Sequence, residues 1–370
     1  MLNAIHYKKH YDRILFITIL MLLIISIVMV YSSSSVVALT SYDDSAYFMK
    51  RQILWVLIGF ALMSITMHVD HHLLSDRRAV LAILIISLVL FAGTLLPGIG
   101  TTINGSRRWL RYGILSFQPS EFAKFAFIVY MSYYIAKKGE RLYDFMNGLV
   151  PSYVMCGVFL AIAAMQPDFG SALTIAGVTF VMLFVGGARV IHLIGTATVL
   201  IPFVYIGVTH SAYRLRRIFS YLDPWADPQG AGHQIIQSYL AFGSGGIFGR
   251  GLGEGRQKLL FLPERHSDFI YAVIGEELGL IGTIAVLVLF LIILWRGIRI
   301  ALYTDEQFSR MLAIGITLLI CVQGMINMAV VTGLLPTKGI ALPLVSYGGS
   351  SLVITMGAMG VLLNISKESS

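Results

Sequence analysis

Long apolar runs, each about as long as a membrane is thick, follow one another along most of this chain. A helix needs about 20 apolar residues to cross the hydrocarbon core of a bilayer. Because the runs are continuous and do not alternate with period two, they predict helices and exclude an outer-membrane barrel. We predict about ten transmembrane helices, at 14–36, 52–69, 79–97, 119–136, 149–166, 171–187, 190–209, 269–295, 311–333 and 345–365.

The composition agrees with a bilayer as the solvent for most of the surface. Of the 370 residues, 57% are hydrophobic and only 12% are charged, and the mean hydropathy is +0.79. A soluble domain carries about 25% charged residues. The sequence therefore predicts an all-α polytopic membrane protein, in which residues 1–370 form a single integral-membrane domain.

The basic residues predict how the helices are oriented. More Lys and Arg fall in the N-terminal tail and in the loops on its side than in the short loops on the other side. By the positive-inside rule, this asymmetry predicts cytoplasmic N- and C-termini. We therefore attribute the net charge of +8 mainly to membrane topology, and we expect no nucleic acid partner.

One outside segment, about 210–268, is far longer than an ordinary connection, and loops of this length are commonly functional. Long loops are translocated regardless of their charge, so topology does not explain why this one is basic. Its basic residues are candidates for binding an anion: Arg214, Arg216, Arg217, Arg250, Arg256, Lys258 and Arg265.

Asp268 lies where this long segment returns to the membrane. A carboxylate at the edge of an apolar span is costly unless it has a partner or a function. It could act as a general base that takes a proton from a substrate hydroxyl, or as an oxygen ligand for a divalent metal. Alternatively, Ser267 or Asp268 could cap the free amides at the start of the eighth span.

Glu121 and Lys124 lie three residues apart inside the fourth predicted span, just after Pro119. This spacing places both side chains on one face of a helix, where they can pair. One interpretation is an ion pair that only neutralises itself. The other is a polar patch inside a cavity, which is the usual role of ionisable groups within spans.

Arg107 and Arg108 form a basic pair in the second outside loop, next to Trp109. Guanidinium groups bind phosphate oxygens in a bidentate way, so the pair could hold a phosphorylated ligand or simply contact lipid headgroups. Lys338, in the last outside loop, is also available for an anion.

A glycine-rich stretch, 243–255, could let the backbone approach a ligand closely, or could be a flexible or re-entrant connection. It is not a phosphate-binding loop of the GxxxxGK[ST] type, so no nucleotide is expected. His71 and His72 lie near the inner face and are interpreted as solvated loop residues.

Several long strings, in order along nearly the whole chain, resemble the SEDS family of proteins (shape, elongation, division and sporulation). They lie at 105–109, 118–124, 166–170, 213–225, 257–270, 275–279 and 336–351. The stretches around Lys258 and Lys338 are more similar to the division member of the family than to the elongation member.

The resemblance implies a peptidoglycan glycosyltransferase that polymerises lipid II, the undecaprenyl-linked disaccharide-pentapeptide, and releases undecaprenyl pyrophosphate. It also implies a class B penicillin-binding transpeptidase and other division proteins as partners. Carried onto this chain, it makes Asp268 the essential acidic residue and places Glu121 and Lys124 in the substrate cavity.

A lipid pyrophosphate needs cations to hold its diphosphate. The candidates are Arg107, Arg108, Arg214, Arg216, Arg217, Lys258 and Lys338. A divalent cation, magnesium or manganese, is an additional expectation, with Asp268 as its possible ligand. Two other functions fit parts of the pattern: a transporter that flips lipid II, and a non-catalytic division scaffold.

Overall fold

The computed structural model describes residues 10–368, except 104–105, 113–114, 210–211, 231 and 256–265. These residues form mainly α-helices, which confirms the predicted fold class. The helices are α1 (Arg13–Tyr42), α2 (Tyr47–His68), α3 (Arg77–Gly93), α4 (Pro119–Lys138), α5 (Val150–Met165), α6 (Phe169–Val185), α7 (Val190–Thr209), α8 (Ala212–Leu222), α9 (His233–Gly245), α10 (Ile270–Tyr303), α11 (Gln307–Val331) and α12 (Gly349–Ser366).

The long apolar helices present large side chains outward. Ile24, Leu57 and Val89 are each more than 60% exposed, as lipid-facing residues are. Among the described residues, six segments are long and apolar enough to cross a membrane: α1, α2, 145–165, α10, α11 and α12. Phe169–Val185 and Val190–Pro202 are shorter apolar helices, and the number of ten spans stays a prediction.

A small antiparallel sheet, which we did not predict, lies between α3 and α4. Its strands are β1 (Gly100–Ile103), β2 (Ser106–Tyr112) and β3 (Leu115–Phe117), in the order β1-β2-β3. Arg107 and Arg108 lie on the central strand β2. Because successive side chains of a strand point to opposite faces, the sheet directs Arg107 and Arg108 to different sides.

The predicted eighth span is not one regular helix. Gly279 has a φ of 68°, so α10 is broken there, and the glycine-rich stretch packs against the break. The backbone amide of Leu280 donates to the Gly246 carbonyl (2.9 Å), and the backbone amide of Arg250 donates to the Glu276 carbonyl (3.0 Å). These bonds satisfy backbone groups that the break releases.

The glycines of the 243–255 stretch are explained by this contact with α10. A Cβ on Gly249, whose φ is +80°, would lie 2.2 Å from the Glu277 carbonyl oxygen. Glycine therefore lets this stretch approach the backbone of α10. This favours its interpretation as a connection over its interpretation as a ligand-binding loop.

The expectation that His71 is a solvated residue is wrong. His71 is 3% exposed, and its ring nitrogens lie 2.6 Å from Asn364 Oδ1 and 2.8 Å from Ser309 Oγ. It lies in the short helix His71–Ser75, where the ends of α2, α11 and α12 meet.

Candidate functional site

Asp268 is half-buried and directly precedes α10. The segment before α10 is held by the connection between α11 and α12 (332–348). Ser346 Oγ donates to the Ser267 carbonyl (2.6 Å), and the Tyr347 amide donates to the His266 carbonyl (2.9 Å). The N-cap position of α10 is Phe269, so neither Ser267 nor Asp268 occupies it. Whether the Ser267 or Asp268 side chain bonds the first free amides of α10 stays a prediction.

Asn327, on α11, ties Asp268 to the same connection. Its Nδ2 donates to the Asp268 carbonyl (2.8 Å) and to the Ile340 carbonyl (2.6 Å). A Cβ on Gly339 would lie 2.9 Å from Asp268 Oδ2, so the carboxylate rests over the Gly339 backbone. The position of the Asp268 backbone thus depends on a side chain from a different helix.

The predicted pair of Glu121 and Lys124 forms, with 2.8 Å between Oε1 and Nζ. Lys124 is 3% exposed and also donates to Gln323 Oε1 (2.9 Å). Gln323 Nε2 in turn donates to the Ala341 carbonyl (3.4 Å). The pair does not only neutralise itself, because a hydrogen-bonded link continues from it to the α11–α12 connection.

Gln323 and Asn327 are the residues that sequence reasoning missed. They lie four apart on α11, which places them on one face of that helix. Gln323 accepts a hydrogen bond from Lys124, and Asn327 donates one to the Asp268 carbonyl. The Glu121–Lys124 pair and Asp268, which we predicted separately, are therefore joined through one helix. The signal was present as two amides at helical spacing inside an apolar span.

Cations approach the α11–α12 connection from α8. Arg217 Nη1 donates to the Thr337 carbonyl (3.0 Å), and Arg214 lies 4.1 Å from the centre of the Phe169 ring. They are three residues apart on α8 and share a face. The start of α6 is close as well, since a Cβ on Gly170 would lie 2.7 Å from Ile340 Cγ1.

Lys338 completes this cationic side of the site. It is half-buried between Thr337 and Gly339, and Arg217 is close enough to act on its charge. Burial first, and then repulsion from Arg217, lower the pKa of Lys338 below the ordinary lysine value. The negative charge of an anionic ligand would offset both effects by stabilising the charged form of Lys338, as expected of a diphosphate-binding group.

The remaining predicted cations lie outside this cluster or outside the described residues. Arg108 donates to the Gln166 carbonyl (3.1 Å) and the Pro167 carbonyl (2.5 Å), and its Nη1 is 3.8 Å from Asp168 Oδ1. It therefore fixes the turn before α6. Arg107 and Arg216 are exposed, and Lys258 lies outside the described residues.

Described residues thus bring together one carboxylate, a buried ion pair and three cations around Thr337–Leu342. Cations and oxyanion-facing donors stabilise charge that develops on a leaving group, and a carboxylate can accept a proton. Asp268 could hold a divalent cation, because its carboxylate offers the oxygen ligands that magnesium prefers. The arrangement suits transfer of a group from a phosphorylated donor.

The comparisons with known proteins agree over nearly the whole length. The model of the cell cycle protein family of FtsW, RodA and SpoVE matches residues 12–370. A probable peptidoglycan glycosyltransferase FtsW of Trichlorobacter lovleyi is 50% identical, over 96% of this chain and 93% of that protein. Stage V sporulation protein E of Bacillus subtilis is 45% identical, over 97% of both.

Solved structures share the fold. A chain of a peptidoglycan synthase complex, described as coordinating polymerization and crosslinking, has a TM-score of 0.78 at 28% identity, over 96% of this chain and 97% of that one. The rod shape determining protein RodA of Thermus thermophilus has a TM-score of 0.71 at 24% identity, over 99% and 98% of the two chains. This chain is a multi-pass membrane protein and belongs to the cell cycle protein family of FtsW, RodA and SpoVE.

Proposed function

We propose that this chain is a peptidoglycan glycosyltransferase that polymerises lipid II during cell division. The observation that carries the proposal is the hydrogen-bonded link through α11. It joins Asp268 and Asn327 to Gln323, Lys124 and Glu121 around one short connection. The names of similar relatives support the same reaction.

The reaction forms a bond between a sugar hydroxyl and the anomeric carbon of the growing chain. The bond from that carbon to the diphosphate breaks, and undecaprenyl pyrophosphate leaves with the electron pair. Asp268 accepts the hydroxyl proton, a contribution of about 10²–10⁴-fold in typical enzymes. A single displacement of this kind inverts the α linkage to β.

Arg214, Arg217 and Lys338 hold the departing diphosphate in this proposal. Arg217 donates to the Thr337 carbonyl and Lys338 belongs to the same segment, next to the Asp268 carboxylate, while Arg214 shares a face of α8 with Arg217, so the leaving group and the base meet at one place. A magnesium or manganese ion held by Asp268 and by diphosphate oxygens would neutralise charge on the same group. The buried Glu121–Lys124 pair lines the substrate side.

The proposed orientation places Asp268 on the outer face of the bacterial inner membrane and both termini in the cytoplasm. Lys137 and Lys138 end α4, and Arg77 and Arg78 begin α3, at the end away from Asp268. A cytoplasmic location for that end follows the positive-inside rule. Ten spans and a long outer segment over 210–268 are part of this proposal.

A class B penicillin-binding transpeptidase is the proposed partner. The similar solved chain comes from a complex that coordinates polymerization and crosslinking, which needs both activities in one assembly. The FtsW names of the relatives favour a role in division over one in elongation, with other division proteins nearby.

The test is polymerisation of labelled lipid II by the purified chain with its transpeptidase, read as glycan strands on a gel. We expect Asp268→Asn to abolish strands while the complex still forms. Asp44→Asn is a matched control, because Asp44 is a partly exposed carboxylate whose pairing with Lys50 is worth little. Normal strands from Asp268→Asn would refute the role of Asp268.

Vesicles with substrate only on the outer side separate an enzyme from a transporter. Strands that form there support polymerisation, and accumulation of substrate inside without strands supports flipping. A division scaffold predicts that Asp268 and Glu121 substitutions both sustain growth.

A further inference from the structure

A cavity of about 480 Å³ lies where the start of α1 meets the end of α10, at the other end of α10 from Asp268. Its volume is within the range of about 300–1,000 Å³ found for sites that hold small molecules. Three arginines, one aspartate and one histidine line it: Arg13, Arg296, Arg299, Asp12 and His10. The lining therefore carries an excess of positive charge, which suits an anionic ligand.

We propose that this cavity binds the phosphodiester headgroup of an anionic glycerophospholipid from the surrounding bilayer. Arg13 and Arg299 hold the phosphate oxygens, and the acyl chains lie along the apolar side chains beside the cavity. The site is independent of the glycosyltransferase activity proposed above, because it lies at the opposite end of α10 from Asp268.

A buried ion pair lies at the base of the cavity. Arg296 donates through Nε (2.7 Å) and through Nη2 to Asp12 Oδ2, and the two side chains are only 14% and 5% exposed. Asp12 Oδ1 accepts from the Leu15 amide (2.9 Å), and the Asp12 amide donates to Ser366 Oγ (2.9 Å). The acid of the lining is therefore neutralised within the protein, and it does not oppose an incoming anion.

Arg13 and Arg299 supply the charge that this pair leaves uncompensated. Both are exposed, and within the described part of the chain neither forms an ion pair with a carboxylate. The Arg299 guanidinium lies 5.6 Å from the centre of the Tyr303 ring, which also lines the cavity. Guanidinium groups bind phosphate oxygens in a bidentate way and are more weakly hydrated than ammonium groups. The two arginines are therefore suited to a phosphodiester.

Lipid-facing side chains border the cavity. Ile14, which lines it, is 46% exposed, and Leu302, in the last turn of α10, is 73% exposed. Trp295 and Tyr303 are exposed as well, and these residue types are enriched where a bilayer meets water. A phospholipid has its phosphate at this depth and its chains on the apolar side. The bilayer itself thus presents the ligand to the cavity, which favours a lipid over a free phosphate.

The rival explanation is that the arginines only orient the chain in the membrane. By the positive-inside rule, basic residues collect at cytoplasmic helix ends without any bound ligand. Arg77 and Arg78, which begin α3, are exposed arginines at the same end of the bundle, and they do not line the cavity. A general attraction to an anionic surface predicts the same effect from both pairs of arginines. A lipid held in the cavity predicts an effect from Arg13 and Arg299 alone.

The experiment measures lipid binding to the purified full-length protein by native mass spectrometry, with phosphatidylglycerol and phosphatidylcholine as the probes. We expect the wild type to retain phosphatidylglycerol more tightly than phosphatidylcholine. An arginine near an anionic membrane surface contributes about fivefold to binding, so Arg13→Gln combined with Arg299→Gln should weaken phosphatidylglycerol binding about 30-fold. Binding of phosphatidylcholine should not change. Because both side chains are exposed, the double variant should fold normally.

Arg77→Gln combined with Arg78→Gln is the matched control, because it removes the same charge at the same end of the bundle. It should bind phosphatidylglycerol as the wild type does. Inorganic phosphate is the second probe, and we expect it to raise the Tm less than phosphatidylglycerol does, since it has no chains to lie along Ile14 and Leu302. An equal rise in Tm would overturn the assignment to a lipid. Equal binding of the two lipids by the wild type, or equal losses in the two double variants, would overturn the cavity as the site.

Discussion

Replacing Asn327 with leucine should lower activity about 100-fold while the protein stays folded. The substitution keeps the size of the side chain but removes the two hydrogen bonds that hold the Asp268 and Ile340 carbonyls, at 2.8 and 2.6 Å. Side-chain hydrogen bonds in a membrane protein are worth on average about 0.6 kcal/mol each. The expected loss of stability is therefore about 1–2 kcal/mol, too small to unfold the bundle.

The activity should fall by about 100-fold, because a shift of the Asp268 backbone moves the proposed base. A displacement of about 1 Å costs about 10²-fold in a reaction that needs aligned groups, which corresponds to about 2.7 kcal/mol of the activation barrier. We expect this loss in kcat and little change in KM, since Asn327 holds the base and not the diphosphate.

The assay combines thermal unfolding with lipid II polymerisation at several substrate concentrations. Thr317→Val is the matched control, because Thr317 is buried on the same helix and donates only to the Ala313 carbonyl among described contacts. A loss of activity under about threefold in Asn327→Leu, with the expected fall in Tm, would refute the positioning role. Equal losses in both variants would point to the helix as a whole.

Three further predictions concern other parts of the structure. Lys124→Met leaves the Glu121 carboxylate nearly buried without its partner and should destabilise the fold by about 3–5 kcal/mol, whereas adding Glu121→Gln should restore most of it in thermal unfolding. The lowered pKa of Lys338 means that its charge disappears at a lower pH than the ordinary 10.5, so KM should rise early on the alkaline side, and Lys338→Arg should remove that rise. Gly249→Ala places a Cβ 2.2 Å from the Glu277 carbonyl oxygen at positive φ, and should lower Tm while Gly243→Ala, with open space around it, does not.

Local rules predicted the helices and the ion pair well. The span that we expected at 119–136 begins at Pro119, as proline at a helix start suggests, and the Glu121–Lys124 pair forms as the spacing required. Both features depend on neighbours along the chain. Hydropathy and helical periodicity contain that information.

The features that we missed depend on contacts between distant parts of the chain. Gln323 and Asn327 are ordinary amides until α4 and the α11–α12 connection are brought beside them. His71 is buried because Asn364 and Ser309, both more than 200 residues away, close over its ring. The break at Gly279 is stable only because the glycine-rich stretch supplies the missing bonds. Hydrophobic periodicity along the sequence does not indicate which distant residues will become contact partners.

The use of two amides on α11 has a physical reason that bears on how the site works. Asp268 and Thr337–Leu342 lie outside regular helices, and segments of that kind move more easily than helices. Gln323 and Asn327 bind backbone carbonyls of these segments from a single continuous helix. The proposed base and the ion pair on the substrate side are therefore both held by one rigid helix, α11. This helix keeps the distance between them constant while a long lipid substrate enters and a diphosphate leaves.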